Sequence, residues 1–165
     1  MSGTWLPPVQ YVAQLPKATV YGCFLITDQE DRPVQLRSVR NPANWQWPGG
    51  NMDPGETPWE CAVREGLEET GLEIARTPRL LGVRYLMPRP DWPAHKIGLI
   101  FDGGRLTPEQ IAAIVLDPAE HDEVRVRSLE EWRDELTDAA FQHLAAAVQA
   151  RRDGIPCYLE QTETS

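Results

Sequence analysis

The hydrophobic pattern alternates between short apolar runs and amphipathic stretches, which predicts strands and helices in alternation. Residues 18–26 (ATVYGCFLI) are β-branched, aromatic and apolar, as expected of a buried strand. Further strands are predicted at residues 34–40, 80–87, 96–101 and 123–127. Because strands and helices take turns along the chain, we expect a layered α/β fold.

Thr57 begins the helix with the clearest sequence signals. It can cap the helix, Pro58 suits the first helical position, and Glu60 completes a capping box. Gly71 supplies the left-handed residue that ends the helix. Further helices are predicted after Thr107 (over residues 111–116), after Ser128 and over residues 137–152.

The segments outside these elements divide the chain into a lead-in, one domain and a tail. Residues 1–16 contain three prolines and are predicted to be an extended N-terminal segment. Residues 17–152 form the predicted domain, and residues 153–165 a loose C-terminal tail. Within the domain, residues 41–56 are dense in Pro, Gly, Asn and Asp, which predicts a loop.

The composition, with 41% apolar and 25% charged residues, is typical of a soluble globular protein. No apolar run approaches the roughly 18 residues that a membrane span needs. The first residues lack the basic start and apolar centre of a signal peptide. The 3 scattered cysteines form neither a disulfide framework nor a zinc motif. We therefore expect a cytoplasmic protein without a membrane partner.

The net charge of −9 is concentrated in one short segment. Residues 53–73 hold seven acidic residues and one basic residue, so this window alone carries −6. An acidic chain of this kind lacks the basic face that polymeric nucleic acid requires, and we exclude that partner. Acid crowded into one segment instead calls for a counter-ion.

Glu65, Glu68 and Glu69 cluster on one side of the predicted helix, at i, i+3 and i+4, while Trp59 and Leu67 lie on the apolar side. Like charges at these spacings repel each other, and the C-terminal half of a helix disfavours anions. Divalent cations would relieve the repulsion, and carboxylates suit Mg²⁺ or Mn²⁺. Acidic helix faces are more often simply solvated than metal-binding. The residues around the cluster must therefore decide between a metal site and a solvated face.

The segment from Gly50 to Leu72, GNMDPGETPWECAVREGLEETGL, resembles the Nudix box G-x5-E-x7-R-E-U-x-E-E-x-G-U, where U is a bulky aliphatic residue. Eight of its nine specified positions agree. The exception is Gly66, which lies on the apolar side and indicates a close contact between helix and sheet. Residues 45–50 (WQWPGG) resemble the family's approach to the box. The resemblance implies a Nudix α/β/α sandwich around a mixed β-sheet.

The same resemblance implies a metal site and a reaction. Glu65, Glu68 and Glu69 would bind Mg²⁺, with Mn²⁺ as the alternative ion, and a backbone carbonyl at Gly50 would complete the shell. The expected reaction is hydrolysis of the diphosphate bond in a nucleoside diphosphate linked to a second group, for example a nucleoside triphosphate or ADP-ribose. Metal ions would neutralise the phosphoryl oxygens and activate the attacking water.

The resemblance also assigns catalytic roles. Arg64 would orient neighbouring carboxylates, with Glu56 as its partner. The general base would be Glu65 or a glutamate from a later loop. Glu120 is the better match for that later carboxylate, and Glu123 is the alternative. Both loop acids are as often merely solvated.

Four residues are predicted to bind the substrate. Trp45 and Trp92 lie in loops or at their edges and could stack on a nucleobase. Arg40 and Arg84 could contact its phosphates, although any single arginine is more often a solvated surface base. The expected partner is therefore a small-molecule nucleotide, and dimeric relatives make a homodimer the expected assembly.

Two other functions compete with hydrolysis. A catalytically silent Nudix-fold module would bind a nucleotide without turnover, but such modules usually lack box glutamates, and all are present here. An acidic interaction domain would need neither a metal nor the Pro-Gly-Gly loop. The histidines, His95, His121 and His143, show no ligand spacing and receive no role.

Overall fold

The structure of the protein is a computed structural model that describes residues 5–74 and 77–161. Over these ranges the chain forms both helices and strands, as predicted, but the elements alternate only in part, because four strands follow the first helix in succession and two helices follow one another before the last strand. In chain order they are α1 (Pro8–Gln14), β1 (Ala18–Asp28), β2 (Val34–Ser38), β3 (Trp45–Gln46), β4 (Gly49–Asn51), α2 (Pro58–Thr70), β5 (Leu80–Leu86), β6 (His95–Leu106), α3 (Pro108–Ala112), β7 (His121–Val126), α4 (Leu129–Glu135), α5 (Asp138–Asp153) and β8 (Cys157–Gln161).

A mixed five-stranded sheet in the order β4-β1-β6-β5-β8 forms the centre of the fold. Strand β1 pairs in parallel with β6 along its whole length and antiparallel with the short β4. A smaller antiparallel sheet, β3-β2-β7, lies beside it. Strand β7 of this sheet begins at His121, which lies next to Glu69 of helix α2.

The two faces of the central sheet are covered by different helices. Phe24 packs in a cluster with Ala62 of α2, whereas its neighbours Cys23 and Leu25 pack with Leu144 of α5. Because successive side chains of a strand point to opposite faces, α2 and α5 lie on opposite sides of the sheet. The predicted α/β/α sandwich around a mixed sheet is confirmed. No helix in the described ranges has the length and apolarity to cross a membrane.

Helix α2 is built as the sequence predicted. The hydroxyl of Thr57 accepts from the backbone N–H of Glu60, and the Glu60 carboxylate accepts from the N–H of Thr57. Gly71 ends the helix in the left-handed conformation, with φ of 69°. A Cβ on Gly66 would lie 3.2 Å from the ring of Phe24 on β1, so the predicted close contact between helix and sheet is present.

Both chain ends differ from the prediction. Residues 8–14, predicted to be extended, form α1, because a proline at the first helical position needs no hydrogen-bond partner. Residues 157–161, predicted to be a loose tail, form β8 and pair in parallel with β5. Parallel pairing joins strands far apart in sequence, so the polar segment CYLEQ gave no local signal of it.

Several element boundaries also differ. The helix after Thr107 has the expected capping box but ends at Ala112, because the chain turns so that Val115 N–H donates to the carbonyl of Thr70 at the end of α2. Strand β6 extends from His95 to Leu106, well beyond the predicted 96–101. The predicted loop 41–56 contains two short strands, β3 and β4.

Candidate active site

Arg64 of α2 holds the carboxylates of the acidic helix face in place. Its Nε donates to Glu56 Oε1 at 2.6 Å, and its Nη1 donates to Glu65 Oε1 at 2.9 Å and to Glu68 Oε2 at 3.0 Å. The guanidinium lowers the pKa of Glu56 through this hydrogen bond. The structure thus brings together four residues that the sequence assigned to the site, with Arg64 paired to Glu56 as expected.

Gly50 of β4 determines where the Glu65 carboxylate can lie. A Cβ at Gly50 would sit 2.3 Å from Glu65 Cδ, well inside contact distance. Glycine is therefore required here for close approach of the side chain to the strand backbone. Burial raises the pKa of Glu65, and the Arg64 hydrogen bond opposes that rise.

We expect Gly50→Ala to reduce turnover about 100-fold while leaving the fold stable. The added methyl displaces the flexible end of Glu65 and not backbone. The substitution therefore changes the geometry of the site, where small displacements lower the rate strongly. Steady-state kinetics and thermal unfolding would measure the two effects. Gly66→Ala on the opposite face of α2 is the matched control and should keep turnover within about twofold. Equal turnover in both variants would refute the positioning role of Gly50.

Glu69 is the buried carboxylate of the site. Its side chain is only 6% exposed, and Oε2 accepts from the N–H of Gly49 at 2.7 Å. Burial raises the pKa of Glu69 to about 8, and the negative charges of Glu65, Glu120 and Glu68 add to the rise. A buried carboxylate surrounded by other carboxylates is costly to ionise unless a cation accompanies it.

The segment before β7 brings Glu120 to Glu69. Ligand atoms of Glu69, Glu120 and His121 all lie within 4.8 Å of one another. The carbonyl of Glu120 accepts from the N–H of Val39 at 2.9 Å, which anchors the segment. The alternative acid, Glu123, points elsewhere, because its carboxylate is paired with Arg37 at 2.8 Å and with Arg125.

These groups fit a divalent cation. Glu65 and Glu69 are largely buried, their charges repel each other, and Gly50 leaves room for the Glu65 carboxylate next to backbone. With the half-exposed Glu68, they would hold the ion. The carbonyl of Gly50 accepts from Cys61 Sγ at 3.2 Å, and a metal contact for this carbonyl stays a prediction. A bound divalent cation would neutralise phosphoryl oxygens and lower the pKa of a bound water.

A basic and aromatic wall lies on the α5 face of the central sheet. Lys96 Nζ lies 4.9 Å from the ring centre of Tyr21 and 4.6 Å from that of Trp92. Trp92 Nε1 donates to the hydroxyl of Thr19 at 3.0 Å, which fixes the indole at the end of β1. Sequence reasoning could not distinguish Lys96 from other surface bases and assigned no role to Tyr21, because the wall forms only where three chain segments meet.

Arg84 belongs to the same wall, since its strand partner is Gly98 and Lys96 lies two residues away on β6. Its Nη2 donates to Gln161 Oε1 at 2.9 Å, whereas its buried Nε has no partner among the described residues. Burial, with help from the charge on Arg84, lowers the pKa of Lys96. Over the described ranges, no carboxylate forms an ion pair with either base.

Both the wall and the acidic cluster reach the part of β1 around Cys23. Tyr21 of the wall lies two residues before Cys23 on the same face of the strand, and Gly49, which pairs with Cys23, donates its N–H to Glu69. Burial raises the pKa of the Cys23 thiol to about 12, the charges of Arg84 and Lys96 lower it, and Glu69 raises it. Charges of opposite sign from the two groups of residues therefore act on this one buried thiol.

The other predicted substrate residues lie outside this wall. Trp45 is only 8% exposed and packs its ring 5.2 Å from that of Trp132, with Arg125 over its face. Because so little of its ring is exposed, Trp45 cannot stack on a nucleobase, and the stacking role predicted for it is wrong. Arg40 is exposed two residues after β2 and next to Val39, which binds the Glu120 segment. A phosphate contact for Arg40 stays a prediction.

Comparison with known proteins identifies the family. A family model described as "NUDIX domain" matches residues 16–147. This match covers most of the chain, and the protein therefore belongs to the Nudix family.

Two curated relatives and one solved structure illustrate the likeness. A putative 8-oxo-dGTP diphosphatase of Bacillus subtilis is 41% identical over 59 residues, which are 36% of this chain and 40% of that protein. Human diphosphoinositol polyphosphate phosphohydrolase 2 is 44% identical over 61 residues, 37% of this chain and 33% of that protein. A MutT protein from Methanosarcina mazei Go1 has a TM-score of 0.66 at 24% identity, over 84% of this chain and 96% of that one. The curated matches span well under half of the relatives' length, and the MutT structure supports the fold.

Proposed function

We propose that the protein is a Mg²⁺-dependent hydrolase that cleaves the diphosphate bond of a nucleoside diphosphate linked to a second group. The observation that carries this proposal is an acidic cluster on α2 together with a basic and aromatic wall on the same sheet, whose bases form no ion pair within the described residues. The acidic cluster suits divalent cations, and the wall suits an anion that carries an aromatic ring. A metal-bridged nucleotide has both features.

The residues of the acidic cluster have different roles in this proposal: metal binding, orientation of carboxylates and proton transfer. Glu65, Glu68 and Glu69 hold the ion, while Arg64 and Glu56 fix the orientation of the first two carboxylates. Glu65 and Glu120 are the two candidates for the carboxylate that takes the proton from the attacking water. Because the site acts on a polyanion, positioning and charge neutralisation supply most of the rate enhancement.

The names of the two curated relatives support the reaction class. One is a putative 8-oxo-dGTP diphosphatase and the other a diphosphoinositol polyphosphate phosphohydrolase, so both names describe hydrolysis of phosphate groups on small molecules. For this chain we favour a nucleotide, because Tyr21 and Trp92 offer aromatic faces beside Lys96.

Lys96→Met should raise KM for the substrate about 10-fold with a much smaller effect on kcat. The ammonium group contributes a charge-assisted hydrogen bond to a substrate phosphate, and losing such a bond costs about 1.5–3 kcal/mol. The matched control is Lys17→Met, since Lys17 is exposed and its ammonium group donates to the carbonyl of Val12, outside the wall. An unchanged KM for Lys96→Met would remove Lys96 from the substrate site.

A substrate panel tests the proposal. The protein is incubated with Mg²⁺ and nucleoside triphosphates, ADP-ribose, dinucleoside polyphosphates and NADH, and the products are separated by ion-exchange chromatography. We expect a nucleoside monophosphate from at least one compound and no product with Glu69→Gln. Binding of a nucleotide without turnover would instead indicate a silent binding module. Equal results for wild type and Glu69→Gln would contradict the proposal.

Location and assembly are further parts of the proposal. We propose a cytoplasmic protein, supported by three cysteines that are all free, as expected in a reducing compartment. A homodimer is supported by family membership alone, and light scattering of the purified protein would test it.

A further inference from the structure

His121, the first residue of β7, has a buried ring nitrogen without a partner. The side chain is 1% exposed, and Nε2 lies 3.2 Å from Gln46 Oε1. An amide oxygen only accepts hydrogen bonds, so Nε2 carries the proton and Nδ1 presents a lone pair in the neutral ring. Nδ1 has no hydrogen-bond partner among the described residues. A buried polar atom of this kind requires an explanation.

The Nδ1 atom points at the buried carboxylate of the site. It lies 3.7 Å from Glu69 Oε1, which is beyond hydrogen-bond distance. When Glu69 is ionised, two acceptors therefore face each other across this gap. Two atoms that each bind one ion at about 2.1 Å are at most about 4.2 Å apart. The gap between His121 and Glu69 falls within that limit.

Glu120 provides a further oxygen ligand next to this gap. Its carboxylate lies within 4.8 Å of the ligand atoms of Glu69 and His121, and its exposed side chain is free to adjust. The Gln46 contact holds the imidazole in the tautomer that leaves Nδ1 free, an arrangement common around metal-bound histidines. Oxygen and nitrogen ligands thus converge at one point.

We infer that Glu69, Glu120 and His121 form a mixed oxygen and nitrogen site that binds a first-row transition-metal ion, such as Mn²⁺, Co²⁺ or Zn²⁺, in preference to Mg²⁺. This inference rests on the proposed function, because Glu69 also belongs to the catalytic cluster. An imidazole nitrogen favours first-row transition metals, most strongly the later ones, over Mg²⁺, which prefers oxygen ligands and water. Glu65 and Glu68 offer oxygen alone, so the enzyme has two positions with different metal preferences.

Electron spin-echo envelope modulation (ESEEM) spectra of the Mn²⁺-loaded, full-length protein test this site directly. We expect modulation from a directly bound nitrogen, which changes when the protein is labelled with ¹⁵N-histidine. His143→Gln and His95→Gln should retain that signal, and His121→Gln should lose it. His143 is a matched control, since it is also buried with an unpartnered Nδ1 in the described part of the chain. If His121→Gln fails to fold, the labelled protein and the other two variants still identify the ligand.

Metal affinity gives a second readout. Calorimetric titration with Co²⁺ should show binding at least about 10-fold weaker for His121→Gln than for His143→Gln, while Mg²⁺ affinity changes less than about threefold. Absence of nitrogen modulation at every Mn²⁺ loading, or equal loss of Co²⁺ and Mg²⁺ affinity, would overturn the inference. Hydrolysis with Mg²⁺ but no nitrogen signal would refute this site alone. A nitrogen signal without hydrolysis of any compound would refute the proposed function alone.

Discussion

Glu65→Gln is expected to slow hydrolysis about 10³-fold while the protein stays folded. Glutamine keeps the volume beside Gly50 and can still accept from Arg64, but it loses the charge that binds the ion and the basicity that accepts a proton. Loss of a positioned carboxylate of this kind costs about 10²–10⁴ in rate. Steady-state kinetics at saturating Mg²⁺ would measure the effect, and circular dichroism would confirm the fold.

The matched control for this prediction is Glu73→Gln. Glu73 is exposed beyond the end of α2, so the substitution removes the same charge from the same acidic segment without touching the site. Its turnover should stay within about twofold of wild type. Glu68→Gln and Glu69→Gln should each remove most activity as well. Near wild-type turnover in any of the three site variants would show that the residue's assigned role is wrong.

The metal-free protein is expected to lose stability as the pH rises from about 4.5 to about 8. The Glu69 pKa is raised from 4.5 to about 8 in the folded protein, chiefly by burial. Between these values the unfolded chain releases a proton that the folded state retains, so rising pH favours unfolding. Each pKa unit corresponds to roughly 1.4 kcal/mol, which makes the total several kcal/mol. Denaturant unfolding in a chelator across this range would measure it.

Glu69→Gln isolates the contribution of this carboxylate from those of other titrating groups. Glutamine can still accept from the Gly49 N–H but has no charge to bury, so its stability should vary much less between pH 4.5 and 8. Added Mg²⁺ should stabilise wild type at pH 8 and have little effect on the variant. Parallel pH profiles for the two proteins would mean that Glu69 does not ionise as described.

The acidic half of the candidate site could be predicted because its signal is local. The capping box at Thr57, the spacing of Glu65, Glu68 and Glu69 and the end of the helix at Gly71 all lie within one segment. Helix periodicity then places the three carboxylates on one face. The family pattern adds the partnership of Arg64 with Glu56, which the structure contains at 2.6 Å.

The rest of the site depends on contacts between distant segments. His121 stands 52 positions after Glu69, and only the pairing of β7 with β2 brings them together. The basic and aromatic wall brings Tyr21, Trp92 and Lys96 together across a parallel strand pair. The position of Trp45 in a Pro- and Gly-rich segment predicts an accessible ring, but in the structure this ring is buried against Trp132. None of these contacts has a local periodicity.

Metal dependence of turnover tests the central claim most directly. The protein is stripped with a chelator, and hydrolysis of its best nucleotide substrate is followed as Mg²⁺ is returned, for wild type and Glu65→Gln side by side. We predict no turnover without a divalent cation, saturable recovery in wild type and a rate about 10³-fold lower in the variant at every Mg²⁺ concentration. Full turnover in the chelator, or recovery in Glu65→Gln equal to that of wild type, would contradict the account.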